Sequence, residues 1–132
     1  MIPSAVRRLL VHLYGKVLMK TSGCPFCKII AHEMPATLAY QDDRCIVIED
    51  IHPQAPIHLL VIPRRHLATL AEAAEEDEGL MGHLLIVAAR VAQERGSHSY
   101  RAVINTNAEA GQTIYHLHVH VLAGRVLRWP PG

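Results

Sequence analysis

The chain has 132 residues, of which 50% are hydrophobic and 19% are charged, and its formal net charge is +1 with histidine neutral. This length predicts a single domain, and so large a hydrophobic fraction provides a buried core and excludes a disordered chain. The weak charge bias argues against a nucleic-acid partner. No apolar run is long enough to span a membrane and no secretory signal pattern is visible, so we expect a cytoplasmic protein.

The first 20 residues differ in character from the rest of the chain. They contain Arg7, Arg8, Lys16 and Lys20 and no acidic residue. Such a segment is typical of a loosely attached extension, and it also fits a short amphipathic helix or a mitochondrial-type leader. We therefore predict an N-terminal extension over residues 1–20 and one folded domain over residues 21–132.

The next segment predicts one short helix and three strands. CPFCKIIAHEMPA is typical of a helix that ends before Pro35. Residues 38–40 indicate a short strand, and CIVIED, which begins at Cys45, indicates a second strand that is rich in branched residues. The run IHLLVIP over residues 57–63 is apolar almost throughout, which predicts a central strand covered on both faces.

Two helices and two strands are predicted after this run. HLATLAEAAEE indicates a short helix, and GLMGHLLIVAARVAQERG a longer one that Gly96 can end. YRAVIN and YHLHVHV indicate two strands on either side of the polar loop TNAEAGQ. Strands and helices do not alternate in this order, which favours an α+β fold with an antiparallel sheet of about five strands over a doubly wound sheet.

Three histidines occupy alternate positions in YHLHVHV, residues 115–121. In a strand, His116, His118 and His120 would line one face, and the residues between them, Tyr115 included, would pack against a core. The outer two histidines would lie roughly 13–14 Å apart along a flat strand, so the three together cannot bind one metal ion. This pattern indicates a site for an anion and protons; three exposed polar residues are the alternative.

The loop before these histidines carries groups that bind phosphate. Gly111 allows backbone N–H groups to approach an oxyanion closely. Gln112 and Thr113 add side-chain donors. A neutral imidazole, whose ordinary pKa is about 6.5, can also attack phosphorus and form a phosphohistidine.

These motifs together resemble the histidine triad (HIT) superfamily. The segments EDIHPQAPIHLLVIPRRH, AGQ, YHLHVHVLAGR and RWPPG carry the resemblance, which extends from Gly23 to Gly132. The chain is most similar to the histidine triad nucleotide-binding branch, the purine nucleoside phosphoramidases. The resemblance implies a HIT-like fold with two main helices, a homodimer, no organic cofactor, and hydrolysis of purine nucleoside phosphoramidates, such as adenosine 5'-phosphoramidate, to AMP.

The resemblance also implies a role for each site residue. His118 would attack the α-phosphorus and become adenylylated, His116 would orient it, and His120 would bind phosphate. Apolar walls suit a flat base, although core packing explains the apolar residues equally well. The remaining implied residues are Asn105, Gly111, Gln112 and Thr113 for phosphate, Asp50 for ribose, Phe26, Ile29, Ile48 and Ile51 for the purine, and Trp129 for the active site across the dimer.

The pair Cys24 and Cys27 in CPFC admits several interpretations. An odd total of three cysteines argues against a secreted disulfide framework. CPFC before a helix also resembles a glutaredoxin, but no βαβ unit follows it. Zinc-binding HIT relatives imply a structural zinc held by Cys24, Cys27, His58 and His116, a closed tetrahedral set. Two reduced, unligated thiols are the alternative, and Cys45 fits a small buried residue of its strand.

Two further functions fit the same residues. Another HIT branch hydrolyses dinucleoside polyphosphates. A nucleotide-responsive binding protein with incidental catalysis is the non-enzymatic alternative, although binding alone needs no nucleophile.

Overall fold

The computed structural model describes residues 23–132, so the predicted extension over residues 1–20 lies outside the described residues. The helices and strands of this part are α1 (Pro25–Ile30), β1 (Leu38–Gln41), β2 (Cys45–Glu49), β3 (Ile57–Pro63), α2 (Glu78–Glu94), β4 (Tyr100–Val103) and β5 (Val119–Ala123). Short 3-10 turns occur at Leu70–Glu72, Glu75–Asp77 and Ala108–Ala110. None of the helices from residue 23 onward is long and apolar enough to cross a membrane.

The five strands form one antiparallel sheet in the order β1-β2-β3-β5-β4. This confirms the predicted α+β fold with a five-stranded antiparallel sheet and two helices. β3 lies in the centre, and every one of its residues after Ile57 is buried, as its nearly continuous apolar run predicted. Leu60 of β3 lies opposite His120 of β5, which places the last histidine of the triad over the middle of the sheet.

Each face of the sheet is covered by a different helix. The long helix α2 buries Leu84, Val87 and Val91, spaced three and four residues apart, against one face. The short helix α1 covers the other face, where Phe26 joins Ile46, Ile48, Leu60 and Ile62 in a second cluster. Burial of each such side chain stabilises the fold by about 1.5–3 kcal/mol. The site histidines lie on the α1 face.

The predicted helix in HLATLAEAAEE is wrong, because this segment contains only two 3-10 turns. Thr69 and Ala74 have extended backbones. Glu72 accepts a hydrogen bond from the Ala68 N–H, and Asp77 accepts one from the Ala74 N–H. Such local side-chain bonds to the backbone compete with the hydrogen bonds of a continuous helix.

The histidine segment is regular strand only from Val119 onward. Before that point the Leu117 N–H donates to the Leu67 carbonyl, 2.7 Å away, so the chain is bound to the loop after β3 and not to a neighbouring strand. Tyr115 is consequently 44% exposed, whereas His116 is fully buried. The predicted alternation therefore fails at Tyr115, which does not pack in the core.

Candidate active site

β5 and the residues before it bring the three histidines of the triad together with α1. The ring centroids of His118 and His120 lie 4.9 Å apart. The Phe26 ring meets His118 edge-on at 5.1 Å and His116 at 5.9 Å between centroids. Phe26 therefore forms an apolar wall beside the middle histidine.

The proton of His118 is held on Nδ1. This atom lies 2.7 Å from the carbonyl oxygen of His116. Because a carbonyl oxygen can only accept, Nδ1 carries the hydrogen and the lone pair of the neutral ring is on Nε2. Burial lowers the pKa of His118, so the ring is uncharged at neutral pH. The side chain of His118 is partly exposed, and its Nε2 carries the lone pair.

His120 belongs to a second group, formed with His58 and Asp50. His58 Nε2 lies 2.9 Å from His120 Nδ1 and 3.3 Å from Asp50 Oδ2. Burial, with the neighbouring His118 and His58 acting in the same direction, lowers the pKa of His120 to about 4. Burial also lowers the pKa of His58, against the opposing effect of Asp50. Both rings are therefore neutral at pH 7.

A third group consists of Cys24, Cys27, His66 and His116. The structure thus corrects the zinc set implied by the resemblance, because His66 and not His58 completes it. His116 donates from Nε2 to the carbonyl of Pro63, at the end of β3, whereas His58 lies five residues earlier, roughly 16 Å away along the strand. His66 follows Pro63 directly in the loop and lies within reach.

The geometry of this group fits zinc. Because Nε2 of His116 donates at 2.8 Å, its Nδ1 carries a lone pair, and this atom lies 3.4 Å and 3.5 Å from the sulfurs of Cys24 and Cys27. His66 Nδ1 lies 3.3 Å from Cys27 Sγ and 3.0 Å from His116 Nδ1. Ligands of a tetrahedral zinc, with bonds of about 2.0–2.3 Å, lie roughly 3.3–3.8 Å apart.

The protonation of the two cysteines also suits a metal. Hydrogen bonding with Cys27 lowers the pKa of the Cys24 thiol, and the same contact raises the pKa of Cys27. The pair thus holds one thiolate readily, which is the ligand form of cysteine. All three cysteines are free, and the antiparallel sheet of the described residues is inconsistent with the glutaredoxin interpretation.

The loop that the sequence assigned to phosphate turns at Gly111. Its φ of +102° is unfavourable for other residues, and a Cβ there would lie 3.6 Å from the Asn105 side chain. Gln112 is buried; its amide accepts from the Asn107 N–H and donates to the carbonyls of Ala68 and Ile114. Its side chain therefore shapes the loop, which corrects its expected role as a free donor. Thr113 is exposed.

The implied nucleotide-binding residues lie in different environments. Phe26 and Ile48 are buried in the α1-side cluster, and Ile29 packs against it. Ile51 is 85% exposed in the loop after β2. Trp129 is 81% exposed in the C-terminal segment. Ile51 therefore does not belong to the core of this domain.

Sequence reasoning missed His66, and it missed the contact of His58 with His120. The sequence held one usable signal, the histidine of PRRH directly after the central strand. His66 can complete a Cys/His set with the C-x-x-C pair just as His58 could. The spacing of these residues in the sequence does not determine which end of β3 lies near the cysteines.

Comparisons with known proteins identify the family. Residues 23–126 match the family model described as scavenger mRNA decapping enzyme C-term binding. An uncharacterized HIT-like protein of Synechococcus elongatus is 51% identical over 108 residues, which cover 81% of this chain and 95% of that protein. The chain therefore belongs to the HIT superfamily, as its motifs predicted.

Two solved structures share the fold. A HIT family hydrolase from Legionella pneumophila Philadelphia 1 superposes with a TM-score of 0.81 and 45% identity, covering 83% of this chain and all of that one, 100%. A zinc-bound histidine triad family protein from Mycobacterium smegmatis gives a TM-score of 0.70 and 33% identity, covering 80% of this chain and 77% of that one. The chain is thus similar to HIT family hydrolases.

Proposed function

We propose that this protein is a purine nucleoside phosphoramidase that forms a nucleotidylated His118. The observation that carries the proposal is the hydrogen bond of 2.7 Å from His118 Nδ1 to the His116 carbonyl. This bond fixes a lone pair on Nε2 of a ring that burial keeps neutral, which is the state a nucleophile requires. Similarity to a HIT family hydrolase supports the reaction class.

The reaction has two steps. In the first, Nε2 of His118 attacks the α-phosphorus, the P–N bond breaks, and the amine takes up a proton as it leaves. In the second, water attacks the phosphorus, the bond to His118 breaks, and AMP is released with the lone pair returned to Nε2. Backbone N–H groups near Thr113 and His120 are expected to stabilise the charged oxygens.

The nucleotide is proposed to bind between Asp50 and α1. Asp50 already accepts from the His52 N–H at 2.8 Å, and a carboxylate keeps further lone pairs for the two ribose hydroxyls. Phe26, with Ile29 and Ile48 behind it and Ile51 at the rim, would contact the purine. Asn105, Gly111, Gln112 and Thr113 would form the phosphate loop, with Gln112 acting through its loop geometry.

We also propose that Cys24, Cys27, His66 and His116 hold one structural zinc ion, and that no organic cofactor is used. A closed set of four protein ligands supplies structural stability and leaves no position for a substrate. These residues join α1, the loop after β3 and the segment before β5. The ion would also fix His116, whose carbonyl accepts the hydrogen bond from His118.

A cytoplasmic homodimer formed through α2 and β4 completes the proposal. Leu85 and Ile86 on α2 are 49% and 61% exposed. β4 is an edge strand, and Tyr100 on it is 36% exposed. Exposed apolar surface and an unpaired strand edge are both typical of interfaces. In such a dimer, Trp129 would approach the active site across the interface.

The decisive experiment follows AMP release from adenosine 5'-phosphoramidate, with intact mass spectrometry to detect an adenylyl group on the chain. We expect turnover and a transient adenylylated species. Faster turnover of diadenosine tri- or tetraphosphate would favour the dinucleoside polyphosphate hydrolase, and tight AMP binding without any turnover would favour the binding protein.

A further inference from the structure

We propose that the cavity between α1 and β1 is a subsite for an apolar substituent on the exocyclic amino group of an adenine nucleotide. This inference deepens the proposed function and rests on it, because it takes the purine to lie against Ile29 and Ile48. Three features of the fold support it: the walls of the cavity, its place in the sheet register and its distance from the proposed dimer interface.

The cavity has mostly apolar walls and opens to solvent. Its volume is about 360 Å³, at the lower end of the range found for small-molecule pockets. Met34 and Leu38 are 41% and 45% exposed, so they lie at its opening. The apolar walls come from α1, the turn after it, β1 and β2, and include Ile29, Ile30, Met34, Leu38 and Ile46.

The charged side chains of the lining do not favour an ionic ligand. Arg64 Nε donates to the Asp42 carbonyl at 2.7 Å, and its Nη2 donates to Gln41 Oε1 at 3.2 Å. The guanidinium is therefore already held by the chain. Glu33 also lines the cavity, and its formal charge offsets that of Arg64. An uncharged, apolar group fits these walls best, since it loses no hydration of a charge on entering.

The sheet register places the cavity at the outer end of the proposed purine site. Leu38 lies opposite Ile48, Ile48 opposite Leu60, and Leu60 opposite His120. This row leads from the triad, past the proposed purine contact Ile48, to the cavity at the edge strand β1. Ile29 borders both regions, because it lines the cavity and packs against the cluster that contains Ile48. The cavity is thus continuous with the purine site.

The order of residues along β2 gives the same direction. Ile46 lines the cavity, Ile48 is the proposed purine contact two residues later, and Asp50, the proposed ribose ligand, follows after two more. Each step of two residues in a strand is about 6.6 Å. In an adenine nucleotide, ribose is attached to the five-membered ring and the amino group to the six-membered ring. A ribose at Asp50 therefore directs the amino group towards Ile46 and the cavity.

The proposed dimer leaves this cavity accessible. The interface is proposed to involve β4, whereas β1 is the opposite edge of the sheet. A substituent that leaves the purine at the β1 edge therefore does not meet the partner subunit.

Isothermal titration calorimetry of the full-length protein with AMP and N6-benzyl-AMP tests the subsite. We expect N6-benzyl-AMP to bind about 10-fold more tightly than AMP, because the cavity removes much of the benzyl group from water. The control ligand is 8-benzylamino-AMP, which carries its substituent on the five-membered ring and should bind no more tightly than AMP.

A variant that fills the cavity provides the second arm. In Leu38→Trp the larger side chain should occupy the space, so N6-benzyl-AMP should lose its advantage while the affinity for AMP stays unchanged. Thr37→Trp, at an exposed neighbour that does not line the cavity, is the matched control and should keep the wild-type preference.

The wild-type comparison decides the proposal even if Leu38→Trp fails to fold. Equal or weaker binding of N6-benzyl-AMP relative to AMP would overturn it and leave the cavity to another occupant, such as the residues before Gly23. An equal gain for 8-benzylamino-AMP, or a preference retained in a folded Leu38→Trp, would also overturn it. Failure of the proposed function is distinguishable, because it would appear as no turnover of adenosine 5'-phosphoramidate with the binding preference intact.

Discussion

His66 and His116, 50 positions apart in the chain, face each other with their Nδ1 atoms 3.0 Å apart. Cys24, which precedes α1 directly, and Cys27 within α1 complete this group. Three segments that are distant in sequence thus converge on one point, next to the residue whose carbonyl orients His118.

We expect one zinc ion per chain in protein purified without chelator, because the four donors have the spacing of a tetrahedral site. Elemental analysis of Cys27→Ser and His66→Ala should show its loss, whereas His58→Ala should retain it. Removal of the ion should lower the free energy of unfolding by about 2 kcal/mol or more, since a ligand bound only to the folded state stabilises it. If His66→Ala retained zinc and His58→Ala lost it, the ligand set with His58 that the resemblance implied would be correct.

The variant His118→Ala should lose at least about 10³-fold in kcat, because no neighbouring group can replace a covalent nucleophile. Steady-state turnover of adenosine 5'-phosphoramidate measures this loss, and circular dichroism checks the fold. His98→Ala, at an exposed histidine, should keep wild-type turnover. Retention of most activity in His118→Ala would contradict the covalent mechanism.

The variant Asp50→Ala should weaken AMP binding about 10- to 100-fold, because hydrogen bonds to a charged group contribute about 1.5–3 kcal/mol. Isothermal titration calorimetry measures the affinity directly. A ligand that lacks the ribose hydroxyls is the matched control, since Asp50→Ala should change its affinity much less. Equal AMP affinity in the variant and wild type would remove the ribose assignment.

The pH profile of kcat/KM should be flat around neutrality and should fall only in acid. His118 must be neutral to attack, and burial lowers its pKa below the ordinary value of about 6.5. The pKa of His120 is lowered to about 4 by burial, so its proton count also stays constant near pH 7. Initial rates between pH 5 and 8, values chosen to span roughly the ordinary histidine range, test this; a fall in rate beginning above pH 7 would contradict it.

The free energy of unfolding should also decrease in acid. Between pH values of about 4 and 6.5 the unfolded state binds more protons at position 120 than the folded state. The free energy of unfolding should therefore decline as the pH falls through this range and should be fully retained above it. Urea denaturation at a series of pH values measures the slope, and a rise in stability towards acid would contradict the assignment.

Periodicity predicted the central features of the fold correctly. The apolar run of β3 identifies a strand that is buried on both faces. The three- and four-residue spacing of apolar residues in α2 identifies a helix that is buried on one face. Composition misled in HLATLAEAAEE, where Glu72 and Asp77 bond to the backbone nearby. Its alanines and leucines have high helix propensity, but propensity is a weak guide where side chains offer the backbone other partners.

The candidate site was predictable as a set of residue types, and less so as a set of neighbours. His58 lies near the start of β3 and His66 follows its end, and the choice between them depends on which end of that strand lies near the cysteines. Only the tertiary structure determines this. The roles of the ring nitrogens likewise depend on backbone groups, the carbonyls of Pro63 and His116 and the N–H of Gln54, whose directions no side-chain pattern reveals.

His116 takes part in two contacts at once, since its ring belongs to the Cys/His group and its carbonyl accepts a hydrogen bond from His118. Displacement of the His116 ring would shift the His116 carbonyl, and His118 would then lose the hydrogen bond that orients it. A chelator should therefore act slowly and in a noncompetitive manner, lowering the maximal velocity to a level that added nucleotide does not restore.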